Sequence, residues 1–264
     1  MATLFLILAQ SPYYTASDGY FYSGIPGGAG MPGGATAIGL FLLVAVGILG
    51  MVVQSRMQAS VKRYSAEPAP LTGAETARRM LEQNGITGVQ VISTPGQLTD
   101  HYNPMNRTVN LSETVYNQAT VAAMAVAAHE CGHAIQHAKA YPWLGLRSTL
   151  VPMVNLGSRL GQIVLMLGLF LLAMGNSTTV AWVGLALYGT TTLFTFVTLP
   201  VEFDASRRAL AWLEASGLAN RAMHGQASTA LRWAAMTYVA AALSSLAMLV
   251  YYALIILSRG GRRD

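Results

Sequence analysis

Four apolar runs govern what this chain can fold into: Ala35 to Val53, Gly161 to Met174 with an apolar approach from Leu150, Val180 to Leu199, and Ala234 to Leu257. An α-helix of roughly 20 apolar residues is what crosses the hydrocarbon core of a bilayer. Lipid offers no water to backbone N–H and C=O groups, so such segments are confined to helices that satisfy them internally. Composition agrees with this. Of 264 residues, 53% are hydrophobic and 10% charged, where an ordinary soluble domain carries about 25% charged. The expected class is a mainly α, polytopic membrane protein with four transmembrane helices.

Basic residues predict the orientation. Arg56, Lys62, Arg63, Arg78, Arg79, Arg107, Lys139 and Arg147 lie between the first two runs, and Arg207, Arg208, Arg221 and Arg232 between the last two. The N-terminal tail and the loop from Gly175 to Thr179 have none, and only Arg259, Arg262 and Arg263 oppose. The positive-inside rule therefore puts both large loops in the cytoplasm. The net charge of +5 suits anionic lipid at that face. No motif or aromatic-basic surface points to nucleic acid. Met1 to Ala9 is apolar but short and lacks a basic n-region, which predicts a membrane-dipping segment rather than a cleaved signal. Ser11 to Gly34, rich in Tyr, Gly and Pro, reads as an irregular interfacial loop.

His129-Glu130-Cys131-Gly132-His133 interrupts the apolar stretch Thr120 to Ala140. Residues four apart share a helix face, so His129 and His133 can offer two imidazole nitrogens to one zinc ion with Glu130 beside the opening as general base. Two ordinary core or solvated histidines are the bland alternative. Context weighs against it: Val121 to Ala128 is nearly all small and apolar, Asn117 or Thr120 offers a start, and no Gly or Pro intervenes before Gly132. Cys131 is the only cysteine, so no intrachain disulfide forms. It lies about 200° around the helix from His129, which makes it a packing residue rather than a ligand.

A catalytic zinc takes three protein ligands and leaves one position for water. The candidates for the third are His137, His101, His224, Glu202 and Asp204. His137 is about 80° around and roughly 12 Å along the helix from His129, which predicts a surface histidine. His224 lies in a polar stretch, Asn220 to Gly225, that reads as a loop with a solvated side chain. Glu202 follows Pro200 at the cytoplasmic end of the third run, where an acidic group is costly unless paired or metal-bound. Asp204 and Arg208 are spaced for a helical ion pair. Glu202 is the expected ligand, with Asp204 an acceptor behind the metal site or a partner of Arg208.

The segment from Ser55 to Arg147 is polar enough for a compact extramembrane domain. Thr72 and Glu75 form a capping-box pattern opening a helix that stops at Asn84-Gly85. Val89 to Ile92 reads as a short strand. Leu98 to Tyr102 and Arg107 to Leu111 flank a hairpin turn at Asn103-Pro104-Met105-Asn106, and Ser112 is expected to cap the way into the metal helix. An edge strand there could hold an extended peptide, and a small stabilising sheet is the equal alternative. The first reading makes His101, Tyr102 and Asn103 candidate substrate contacts; His101, Tyr102 and His224 are candidates for stabilising the transition state.

Leu71-Thr72-Gly73-Ala74-Glu75, Asp100-His101-Tyr102-Asn103-Pro104, Ala127-Ala128-His129-Glu130-Cys131-Gly132-His133-Ala134-Ile135-Gln136 and Leu199-Pro200-Val201-Glu202-Phe203-Asp204-Ala205-Ser206 occur in this order. Together they resemble the bacterial YugP-like neutral zinc metallopeptidases of the membrane, from about residue 40 to 250. More distantly the chain is similar to HtpX-like and CAAX-prenyl-type membrane proteases. Those carry a ligand Glu at about this distance and usually an Asp four residues later, where this chain has Ser206.

The resemblance implies a zinc metalloendopeptidase with one Zn2+ per chain, a gluzincin-like ligand set and a small α+β zincin-like domain. It also implies a multi-pass protein of the bacterial plasma (inner) membrane, with the active site on the cytoplasmic side and peptides or membrane proteins as substrates. The expected layout is an irregular segment at 1–34, spans at 35–57, 148–200 (two helices) and 234–258, a metallopeptidase region at 58–147, and the third ligand within 201–233. A catalytically inert zinc-binding membrane protein or scaffold is the alternative. A transporter is disfavoured because the runs contain almost no ionisable residue besides Arg159.

Overall fold

The computed structural model describes residues 34–175 and 177–260. The expected dipping segment and interfacial loop before residue 34 lie outside the described residues, as do Arg262 and Arg263. In order, the elements are α1 (Gly34–Tyr64), α2 (Gly73–Gln83), β1 (Gln90–Thr94), β2 (His101–Asn103), β3 (Thr108–Ser112), α3 (Glu113–Asn117), α4 (Val121–Ala138), α5 (Pro142–Ala173), α6 (Thr179–Ala215) and α7 (Arg221–Gly260). They fold into two compact units. The first comprises Tyr64–Ile135 and Arg208–Ser228, and the second comprises residues 34–63, 136–207 and 229–260 in its described part.

In the first unit, α2 starts as its sequence dictates. The Thr72 hydroxyl accepts the Glu75 N–H at 3.2 Å, and the Glu75 carboxylate accepts the Thr72 N–H at 2.8 Å, so two orphan donors of the first turn are satisfied reciprocally. The helix ends at Asn84, with Gly85 at φ +70 where a glycine is favoured. The expected hairpin is present, with Tyr102 opposite Val109 in antiparallel register. The strand read at Val89 to Ile92 runs Gln90–Thr94 and pairs parallel with β3, giving the order β1-β3-β2. As the central strand, β3 is buried at all five positions. β2 is an edge.

Ser112 departs from expectation. It precedes the short α3 but makes no side-chain cap there; its N–H and hydroxyl donate to Asp100 instead. The start of α4 is at Thr120, whose hydroxyl accepts the Ala123 N–H at 3.2 Å. The Val121 N–H also donates to the Glu67 carbonyl and the Ala69 N–H to the Ala119 carbonyl, pinning the entry to the helix. His224 likewise departs, lying in the first turn of α7 rather than a loop, after Asn220 accepts the Met223 N–H at 2.9 Å.

Among the described residues, three helices, each lying mostly in the second unit, are long and apolar enough to cross a membrane: Thr36–Tyr64, Thr179–Ala215 and Arg221–Arg259. A fourth span results only if Pro142–Asn155 and Gly157–Ala173, bent by 44°, count as one. Pro152, within a turn of the bend, removes a backbone donor and clashes with the preceding turn. Large apolar side chains point outward, Phe41 at 72% exposure and Ile163 at 65% among them, the surface a lipid solvent requires.

Glycines let α5 and α6 approach closely. A Cβ at Gly168 would stand 2.3 Å from the Ala181 nitrogen, and one at Gly184 would stand 2.3 Å from the Leu165 nitrogen. Gly157 and Gly161, spaced four apart on the same helix, face Thr190 and Leu187. Where lipid is the solvent there is no hydrophobic drive between helices, and backbone-to-backbone packing of this kind can supply the association. Leu165, Leu172, Ala181, Leu185 and Ile256 form the core beside it. Gly184→Val should therefore lower the detergent-state Tm by the equivalent of about 1–3 kcal/mol or more. Gly47→Ala, where a Cβ meets nothing within 4 Å, should leave it unchanged; equal effects of the two would refute the close-packing account.

Candidate metal centre and active site

α4 is buried almost throughout from Val121 to Gln136, which is how a helix hydrophobic on all faces behaves. His129, Glu130, His133 and Gln136 are the polar exceptions, exposed by only 2%, 0%, 5% and 0%. The two imidazoles share a face, with ring centroids 4.8 Å apart and planes at 86°. Charges and polar groups this deep must be compensated by designated partners.

Glu130 has such a partner on β2. The Tyr102 N–H donates to its Oε2 at 3.0 Å. β3 lies on one side of β2, and this outward N–H of the edge strand is taken by the carboxylate. The strand is itself anchored one step earlier. Asp100, 3% exposed, accepts the Ser112 N–H at 2.7 Å and its hydroxyl at 3.1 Å, tying the start of β2 to the end of β3. Burial pushes the Asp100 carboxyl above the usual range and the nearby Glu130 charge adds to this, while the Ser112 N–H and hydroxyl pull it back. Sequence reasoning assigns Asp100 no role. Its signals there are its place in the hairpin arm Leu98 to Tyr102 and in the run Asp100-His101-Tyr102-Asn103-Pro104.

The other residues of β2 serve local structure. His101 Nδ1 lies 2.8 Å from the Thr99 carbonyl. The Asn103 side chain accepts the Met105 N–H at 2.9 Å and so shapes the hairpin turn. Tyr102 is buried, and burial pushes its phenol up against the lowering influence of Arg107.

Glu202 lies in α6, two residues after Pro200, and is 1% exposed. Arg147 Nη1 is 3.5 Å from its Oε1. Asp204, 5% exposed, accepts from Arg207 and, at 2.9 Å, from the Gln136 side-chain amide. The same amide donates to the Val201 carbonyl at 2.8 Å. Arg208, the anticipated partner of Asp204, is half-buried in the same helix. Sequence reasoning misses Arg147 and Gln136, since an isolated polar residue gives no periodic signal.

His129, His133 and Glu202 each offer a ligand atom within 4.8 Å of the other two, and all three are buried; they can hold a metal ion. Two imidazole nitrogens and one carboxylate oxygen are a donor set that zinc accepts, and three protein ligands leave a fourth position open. Among the described residues, His101, His137, His224 and Asp204 stand outside this group. His137 is exposed, as expected.

A buried donor set of this kind is what a zinc protein needs, and comparison with known proteins identifies the class of this chain. It belongs to the family described as "Putative neutral zinc metallopeptidase", which it matches over residues 39–257. A relative in Bacillus subtilis (strain 168), "Putative membrane protease YugP", is 38% identical over 223 residues, covering 83% of this chain and 97% of that protein. No solved structure matches the chain.

Cys131 sits between the histidines in sequence but not in chemistry. It is fully buried, its Sγ is 3.5 Å from the Ala77 carbonyl, and burial together with the Glu130 charge pushes its thiol well up. Since the thiolate is the reactive form, Cys131 should resist iodoacetamide in the folded protein at neutral pH and be alkylated only after denaturation. Mass spectrometry reads this directly, and rapid native-state labelling would contradict the packing role.

Proposed function

We propose that the protein is a zinc-dependent endopeptidase of the gluzincin type, embedded in the bacterial plasma membrane and acting at the cytoplasmic face on peptides or membrane proteins. The observation that carries this reading is the buried group of His129, His133 and Glu202, with Glu130 next to the first of them. His129, His133 and Glu202 are the ligands for one zinc per chain. When bound, zinc supplies a water of lowered pKa and polarises the substrate carbonyl.

The chain's own residues do the rest. Glu130 is the general base that takes the proton from the attacking water and later delivers it to the leaving amine. Its carboxylate is held by the Tyr102 N–H, so it is aimed before substrate arrives. β2 is the edge of the sheet, beside which an extended peptide can lie, the Tyr102 N–H staying with Glu130 and His101 and Asn103 standing on the face opposite Tyr102. Asp204 and Arg208 stabilise the helix that carries Glu202. Outward apolar residues on the long helices and the basic residues of the loops support lipid on the flanks and a cytoplasmic site. The inert zinc-binding reading needs a fourth protein ligand such as His224, which lies outside the metal-holding group.

The test is metal content alongside cleavage of an unfolded protein, on detergent-purified wild type, Glu130→Gln and Glu202→Ala. Wild type should carry one zinc and cleave. Glu130→Gln should keep its zinc and lose activity by about 10²–10⁴-fold, and Glu202→Ala should bind zinc more weakly. Cleavage surviving in Glu130→Gln would overturn the mechanism.

A further inference from the structure

We propose that Gln136 is a positioning residue that sets Glu202 in register as the third ligand, an inference that rests on the metal-ligand reading above. Gln136 lies three residues beyond His133 on α4 and is fully buried. Its amide nitrogen carries two hydrogens, and both are used on α6: one on the Val201 carbonyl at 2.8 Å, one on Asp204 Oδ2 at 2.9 Å. The two acceptors bracket Glu202 in sequence. Because residues 201 to 204 span little more than the 3.6 residues of one turn, grips on the first and the last stop the Glu202 backbone from sliding or rotating.

The need for such a grip comes from Pro200. It sits inside α6, lacks an N–H, and crowds the turn before it, so the helix is weakest directly ahead of Glu202. Gln136 fastens the far side of that weak point. The Glu202 side chain is then oriented by Arg147, 3.5 Å from Oε1, whose own side chain is 13% exposed. A neutral amide suits the position. It supplies two donors to a carbonyl and a carboxylate without adding another charge next to the ligands. Groups behind a metal ligand of this kind typically govern about 10–100-fold in metal affinity.

A merely structural glutamine would affect stability but not zinc binding, and this separates the two roles. Zinc affinity is measured by chelator competition on the full-length, detergent-purified chain stripped of metal, alongside the metal-free Tm. The variants are Gln136→Leu, which removes both donors, and Gln136→Asn, which retracts the amide by one methylene, each alone and combined with Glu202→Ala. Gln136→Leu should weaken zinc by about 10–100-fold, with Gln136→Asn intermediate. In the Glu202→Ala background the same substitutions should have little further effect, since the residue acts through Glu202. Unchanged zinc affinity in both variants despite a lowered Tm would overturn the proposal, as would an equal loss in both backgrounds. If Gln136→Leu does not fold, the Asn variant decides alone on the same criteria. Wild type without zinc, or Glu202→Ala binding as tightly as wild type, would instead remove the ligand assignment on which the positioning role depends.

Discussion

Taking an ionised carboxylate out of water costs several kcal/mol even after the surroundings relax, yet Asp100, Glu130, Glu202 and Asp204 are all 5% exposed or less. Each is met by donors from elsewhere in the chain: Ser112 for Asp100, the Tyr102 N–H for Glu130, Arg147 for Glu202, Gln136 and Arg207 for Asp204. Those donors are useful only at particular distances. Strand register, helix phase and the path of the loops are therefore constrained by these buried acids. The proposed hydrolysis by a metal-activated water would gain from such dry, charged surroundings, because electrostatic effects strengthen as water is excluded.

Two different kinds of packing hold this interior. Around the sheet, a central strand buried at every position and the apolar run of α4 supply an ordinary hydrophobic core, with Met80, Leu111 and Met124 fully enclosed. Among the long helices, association rests on glycines that admit the neighbouring backbone. Large apolar residues are then left to face outward, the arrangement that suits a helix long and apolar enough to cross a membrane. Prolines at 152 and 200 interrupt two of these helices. The second lies two residues before Glu202, so the weak point in the hydrogen-bond ladder directly precedes one of the three residues that can hold a metal.

Features whose information is local are legible in the amino-acid order alone. The capping box at Thr72 and Glu75, the hairpin around Pro104, the start of α4 at Thr120 and the apolar runs all depend on neighbours in sequence, and the structure has each of them. Ser112 shows the opposite case. A serine before a helix is a good cap by local rules, but a buried Asp100 twelve residues earlier competes for its N–H and hydroxyl and wins. Asn220 and Gly225 suggest a loop around His224, whereas Asn220 caps a helix that runs through the glycine. The helix that carries the second apolar run is bent ahead of it, within a turn of Pro152.

By itself the sequence determined the helical class, the membrane-spanning lengths, the family, and the pair of imidazoles four residues apart, since all of these follow from periodicity, composition and the order of short motifs. Only the tertiary structure decided which donors meet which acids. Gln136 and Arg147 are ordinary polar residues in a linear reading. Their importance arises because folding brings them to Val201, Glu202 and Asp204, more than fifty residues away in the chain. No local rule encodes such pairings: they depend on distances in space, fixed only when the helices pack.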